Sequence, residues 1–335
     1  RKTEIVEAEE LLSLEDLISE EDVVVTLSHM GYVKCQPLDV YREQKRGGKG
    51  KTATSTRDED FVDKVFVANT HDTLLCFSDS GKLYWLKVYQ LPQAGRTARG
   101  RPLINLLPLS EGERVTAVMP IKEFDPDLYI VMATAQAVIK KTSLAKFSRP
   151  RPSGIIAVDL ARGDHLIGVV LTQGASDIML VSSEGKAIRF SETAVRPMGR
   201  TARGVRGMRI PKEQEIISLI SIEGEGTVLF ATAKGYGKRT LFDEFPRRGR
   251  GGQGVIAIQT NERNGDVVGA VPTMEEEGIM MISDKGMLVR TPVSGVSIIG
   301  RNTQGLRLIN LSEGESLVGI EKVGDLGTES SEDNG

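Results

Sequence analysis

Aromatic side chains are scarce in this chain of 335 residues: Phe, Tyr and Trp together make up 5%. Proteins that grip single-stranded nucleic acid use aromatic platforms for the bases, so that mode is disfavoured from the outset. Cysteine is nearly absent. Cys35 and Cys76 lie in apolar, alternating runs, which reads as two buried thiols in a reducing cytosol and excludes a disulfide framework. The histidines His29, His71 and His165 are scattered without ligand spacing, so no metal site is expected. No apolar run approaches the roughly 18–20 residues of a membrane helix. The opening "RKTEIVEAEELL" is charged and has no secretory pattern. No Gly-Lys-Ser/Thr follows a glycine-rich loop, which excludes a Walker A site. "HDT" at 71–73 and "GDH" at 163–165 read as turns. With no catalytic constellation in sight, no cofactor is expected and the chain by itself is not read as an enzyme.

Charge is unevenly placed. The net value is −3, yet residues 1–22 carry −7 and residues 313–335 carry −6, leaving +10 on 23–312. A basic body lies between two acidic ends, and local charge sets the field at a surface. The sequence divides accordingly into an acidic leader, 1–22, a body, 23–323, and an acidic tail, 324–335, whose "GTESSEDNG" has the composition of a disordered segment.

The body repeats. "QKRGGKG" (44–50) aligns with "AGRTARG" (94–100), "SRPRPSG" (148–154), "MGRTARG" (198–204), "RGRGGQG" (248–254) and "IGRNTQG" (299–305). The closing glycines are spaced by 50, 54, 50, 50 and 51 residues. Arginine holds the third place in five copies, at Arg46, Arg96, Arg200, Arg250 and Arg301; the remaining copy has Pro150 there, between Arg149 and Arg151. Before each box stand two short apolar runs joined at a turn residue: Gly31, Gly81, Ala137, Gly185, Gly235 or Gly286. Glycine suits such a turn because positive φ costs it nothing, so the turn at Ala137 must differ or be strained. After each box come a third run, a polar turn and a fourth run, all rich in Val and Ile. The expectation is an all-β protein of six four-stranded units, a propeller-like ring or spiral. The first and last runs could complete one sheet together and close a ring; an open spiral fits as well.

Boxes at one phase of such a repeat emerge at one edge of each blade and make a curved cationic track. Glycines allow backbone to approach phosphate, and arginine can hold it with two parallel hydrogen bonds. The expected partner is duplex DNA, held by its phosphates with little base reading. Bending about 40 base pairs through half a circle costs on the order of 11 kcal/mol for a persistence length of about 150 base pairs. Non-specific contact at one patch returns about 5–8 kcal/mol. Several boxes are therefore needed. A protein-interaction propeller would show aromatic-rich loops and WD or double-glycine signatures, and an enzyme embedded in a propeller would show a catalytic cluster.

"QKRGGKG" also resembles the seven-residue box diagnostic of the DNA gyrase A subunit, and the flanking repeats resemble that subunit's C-terminal domain over nearly the whole chain. The resemblance implies a six-bladed β-pinwheel with strands exchanged between neighbouring blades. It implies that duplex DNA is wrapped on the rim with positive writhe, so that the holoenzyme introduces negative supercoils. DNA contact is carried over to Gln44, Lys45, Arg46, Gly47, Gly48, Lys49 and Gly50. On charge and phase alone it extends to Lys51, Arg96, Arg99, Arg101, Arg149, Arg151, Arg200, Arg203, Arg206, Arg248, Arg250, Arg301 and Arg307. The implied partners are the subunit's N-terminal breakage-reunion domain, for which the leader 1–22 would be the junction, and the B subunit in an A2B2 assembly. ATP, Mg2+ and the catalytic tyrosine belong to those other parts, and the location implied is the bacterial cytoplasm, at the nucleoid. The isolated domain is expected to be a monomer. The equivalent domain of topoisomerase IV is the nearest alternative; the intact first box and six repeats oppose it.

Overall fold

The first run of a unit is apolar along its length, and where both faces of a strand are covered that is the pattern required. In the computed structural model, which describes residues 14–40, 60, 62–95 and 97–323, these runs become the middle strands of blades. Each forms a hairpin with the run that follows. The six hairpins are β1 (Asp22–Ser28) with β2 (Tyr32–Pro37), β4 (Thr73–Ser78) with β5 (Lys82–Lys87), and β8 (Tyr129–Thr134) with β9 (Val138–Ser143). They continue with β12 (Asp177–Ser182) and β13 (Lys186–Ser191), β16 (Thr227–Thr232) and β17 (Tyr236–Leu241), and β20 (Gly278–Ser283) and β21 (Leu288–Pro292). Every residue of β4, β12 and β16 is buried. Helix is confined, among the described residues, to 3-10 turns of three or four residues.

The fourth run of each unit pairs with the first strand of its own hairpin. These strands are β3 (Val62–Asn69), β7 (Val115–Ile121), β11 (Leu166–Thr172), β15 (Ile216–Ile222), β19 (Val267–Thr273) and β23 (Leu317–Lys322). They pack against one another about the ring's axis. The third run behaves differently. It yields two-residue strands, β6 (Arg101–Pro102), β10 (Ile155–Ile156), β14 (Val205–Arg206), β18 (Val255–Ile256) and β22 (Leu306–Arg307), and each joins the second hairpin strand of the preceding unit. Sheet order is therefore β3-β1-β2-β6 in the first blade and β15-β12-β13-β18 in the fourth. This is the exchange between neighbours that the resemblance implies.

Apolar side chains interlock between successive blades. One cluster joins β1 and β2 residues such as Val23 and Val25 to Leu74 and Cys76 of the second blade. Four more link the second blade through to the sixth. Both cysteines are buried as free thiols, and burial pushes them up to about 11 for Cys35 and about 12 for Cys76. Trp85 is half-buried on β5 and donates its indole N–H to the Phe147 carbonyl at 2.8 Å.

Ring closure departs from the expectation. Among the described residues no sheet holds strands from both ends of the chain: β1 and β2 pair with β3 and β6, β22 belongs to the fifth sheet, and β23 to the sixth. The first and last blades instead meet side by side, where His29 Nδ1 lies 3.0 Å from Glu321. The physical reason is the exchange itself, which draws each edge strand from the following unit. The sixth sheet has three strands, β21-β20-β23, among the described residues. Residues 15–21 lie on the first two blades: the Thr70 hydroxyl donates to the Ser19 carbonyl, and Lys87 pairs with Glu15 at 3.0 Å.

Candidate nucleic-acid interface

Each box is a loop hung on the outer strand of the preceding blade. It begins at a parallel bridge and closes as the antiparallel edge strand on the same outer strand. For 198–204 the bridge is Lys141↔Pro197 and the closure Ile139↔Val205; for 248–254 they are Arg189↔Arg247 and Ala187↔Val255. The loops at 94–100 and 299–305 repeat the plan with Cys35↔Gln93 and Arg239↔Ile298. One repeated register thus brings the described boxes to one perimeter.

The closing glycine is what permits the return. Gly204 has φ +104°, and a Cβ there would lie 2.6 Å from the Ile139 carbonyl oxygen; at Gly305 it would lie 2.7 Å from that of Gly237. These glycines face their own scaffold strand, so the box's last position serves loop closure rather than approach to a phosphate. Gly50 lies outside the described residues, with the whole of Gln44, Lys45, Arg46, Gly47, Gly48, Lys49 and Lys51; Arg96 lies outside them as well.

The arginines fall into two groups. Arg101, Arg149, Arg151, Arg206 and Arg248 are exposed and make no side-chain hydrogen bond or ion pair among the described residues. Arg99 is exposed and sits over the Tyr32 ring at 5.8 Å, while Arg203 forms an exposed pair with Asp159 at 3.2 Å. Arg307 donates to the Tyr236 hydroxyl at 2.7 Å and, with Arg263, holds that phenol below its ordinary range. The third-position arginines turn inward instead. Arg250 donates to the carbonyls of Ala194, at 3.1 Å, and Arg206; Arg301 donates to that of Ile256 at 2.8 Å. Their recurrence reflects stapling of one loop to the edge strand before it. Arg200 is half-buried at the same position.

Backbone bonds continue the chain of loops. The Arg209 N–H donates to Gly252 and the Gln259 N–H to Thr303, both at 2.8 Å, so successive loops form a connected rim. Sequence reasoning missed Lys34, Lys140 and Lys238, which reach into the loops from beneath. Their signal was present: each stands three residues after a hairpin turn residue. Among the described residues no group of three or more His, Cys, Asp or Glu could hold a metal ion. No described helix is long and apolar enough to cross a membrane.

A family model described as the DNA gyrase C-terminal domain, a beta-propeller, matches residues 22–69, 72–122, 128–173, 176–223, 226–274 and 279–323. The DNA gyrase A subunit of Salmonella typhimurium is 56% identical over 325 residues, which cover 97% of this chain and 37% of that protein. That of Haemophilus influenzae is 52% identical over 353 residues, 97% of this chain and 40% of the relative. The chain therefore spans well under half the length of these relatives. Among solved structures, the C-terminal domain of a DNA topoisomerase IV superposes with a TM-score of 0.81 at 26% identity, covering 91% of this chain and 94% of that one. A DNA gyrase A C-terminal domain superposes with a TM-score of 0.68 at 25% identity, over 90% and 99%.

Proposed function

The chain belongs to the DNA gyrase C-terminal domain family, and we propose on that ground that its rim binds duplex DNA and wraps it with positive writhe. The observation that carries this reading is the single perimeter of repeated loops with outward arginines, since phosphate contacts spread along an arc are what offset a bending cost. Aromatic platforms are lacking in the boxes, which favours duplex over single strand. Within a whole A subunit, assembled with B subunits as A2B2 in the bacterial cytoplasm, such a wrap presents a neighbouring DNA segment for passage. Negative supercoiling then draws on ATP, Mg2+ and a catalytic tyrosine located outside this chain.

The test is topological. A relaxed circle nicked and closed by ligase with the domain bound should show a positive shift in linking number. A domain that binds linear duplex yet leaves the linking number unchanged would overturn wrapping. If about six to eight phosphates are engaged, log affinity should fall against log salt with a slope near −5 to −7. The higher TM-score with the topoisomerase IV domain favours a second reading, binding without wrapping. The intact box at 44–50 and the 56% identity to a gyrase subunit oppose it.

A further inference from the structure

The position three residues after each hairpin turn residue lies midway between the two attachment points of a loop, so its side chain forms the loop's floor. Lysine occupies it in the first, third and fifth blades, as Lys34, Lys140 and Lys238; Tyr84, Ile188 and Val289 occupy it in the others. Lys140 and Lys238 are fully buried, and no carboxylate touches either ammonium. Their partners are loop oxygens. Lys34 Nζ donates to the carbonyls of Gly95 and Ala98 at 3.0 and 2.8 Å. Lys140 donates to those of Ala157, at 2.6 Å, and Arg200. Lys238 donates to Gly300 and Arg301 at 2.7 and 2.5 Å and to the Thr303 hydroxyl at 3.0 Å. The loops so floored, 94–100, 198–204 and 299–305, share a Gly-Arg-Thr/Asn core. The loops 148–154 and 248–254, over Tyr84 and Ile188, do not.

A carbonyl aimed inward fixes the direction of the next N–H, because the two are antiparallel across a planar trans peptide. The N–H groups following Ala98, Arg200 and Arg301 belong to Arg99, Thr201 and Asn302. All three residues are exposed, and these N–H groups make no hydrogen bond among the described residues. Outward backbone N–H groups are phosphate donors that read no sequence.

We propose that Lys34, Lys140 and Lys238 are positioning residues for duplex binding, buried ammonium groups that turn the carbonyls of alternate loops inward and so present the N–H groups of Arg99, Thr201 and Asn302 to DNA phosphates. The inference rests on the DNA-binding reading above. It sorts the described loops into two kinds: ammonium-floored loops that offer backbone donors, and apolar-floored loops that offer exposed side-chain cations such as Arg149, Arg151 and Arg248. Burial lowers Lys140 and Lys238 to about 8, with Arg200 lowering and Asp159 raising the first, and Glu244 raising and Arg301 lowering the second. The charge that organises these loops is therefore lost a little above neutral pH.

The experiment compares the unmutated chain with the double variant Lys140→Met, Lys238→Met, measuring affinity for a short duplex from pH 7 to 9.5 alongside thermal melting. A folded variant should bind about tenfold more weakly at pH 7. The unmutated chain should lose affinity through pH 8 in a step that the variant lacks. A folded variant that binds within twofold of the unmutated chain, or that shows the same step, overturns the proposal. If the variant does not fold, replacing the Thr201 peptide with an ester removes one N–H donor from the unmutated fold. Affinity should then fall about threefold or more without a change in melting, and unchanged affinity overturns the proposal. An unmutated chain that fails to bind duplex at all would instead sink the DNA-binding reading.

Discussion

Ala137 is the one described non-glycine residue with positive φ, +65°, in a turn position that is glycine in every other unit. At Gly81 a Cβ would lie 2.8 Å from the carbonyl oxygen of Val158 on the edge strand's extension. In the third blade the small residue sits on the other side of that contact: Gly207, whose N–H donates to the Ala137 carbonyl at 2.7 Å, stands where the neighbouring units have Ala157 and Ala257. Crowding and backbone conformation are separable here. Gly112 and Gly204 both have positive φ, but a Cβ at Gly112 meets nothing within 4 Å. Gly112→Ala should cost about 1 kcal/mol from conformation alone. Gly204→Ala, which adds a backbone clash, should cost about 2 kcal/mol or more. Urea unfolding of the two variants checks this, and equal costs would mean that the closing glycine is not held against its strand.

Among the loops, Arg248 and Arg250 stand two residues apart and do different things. Arg248→Ala should leave melting unchanged and make the salt dependence of DNA binding shallower by about one unit. Arg250→Ala should cost about 1–2 kcal/mol of stability, because two carbonyl partners lose their donor. The reverse assignment would be seen at once in the pair. Strands, hairpins and the six-fold period were legible in the sequence because Val- and Ile-rich runs and turn glycines report local geometry. The offset of the third run was not, since nothing in "GIIAVDL" says which blade it pairs with. The same limit hid the inward arginines: a recurrent Arg looks alike whether it meets phosphate or a neighbouring carbonyl. Box 44–50 carries three cations that only the sequence describes. Replacing it with alanines should weaken short-duplex binding by about 1–3 kcal/mol and abolish the linking-number change, as gel shift and circle topology would show. Normal wrapping would mean that the other five loops suffice.

Around the whole ring, five interfaces are apolar clusters and the sixth, between the last and first blades, is charged among the described residues. There burial, followed by the Glu321 charge, pushes Asp63 up to about 6, and the hydrogen bond to Glu321 raises His29. Both groups bind protons more tightly in the folded chain than when unfolded. Their contributions are fully present in acid, below the unfolded Asp value, and are lost as pH rises, through about 6 for Asp63 and then above 6.5 for His29. Amides of β3 and β23 should therefore lose hydrogen-exchange protection between pH 5 and 8, after correction for intrinsic rates, while β12 and β15 keep theirs. Equal behaviour of the two pairs would show that this seam is no weaker than the rest.

A duplex held in a curve pushes outward on whatever restrains it, and the exchanged edge strands decide where that load goes. A loop such as 198–204 springs from the fourth unit but is moored at both ends on β9 of the third. Outward force on it is thus divided between two blades, drawing one toward the other instead of prising a single sheet from the ring. The stiff object that the rim must restrain acts on it as a hoop under tension, which tightens the joints between adjoining blades as the load increases.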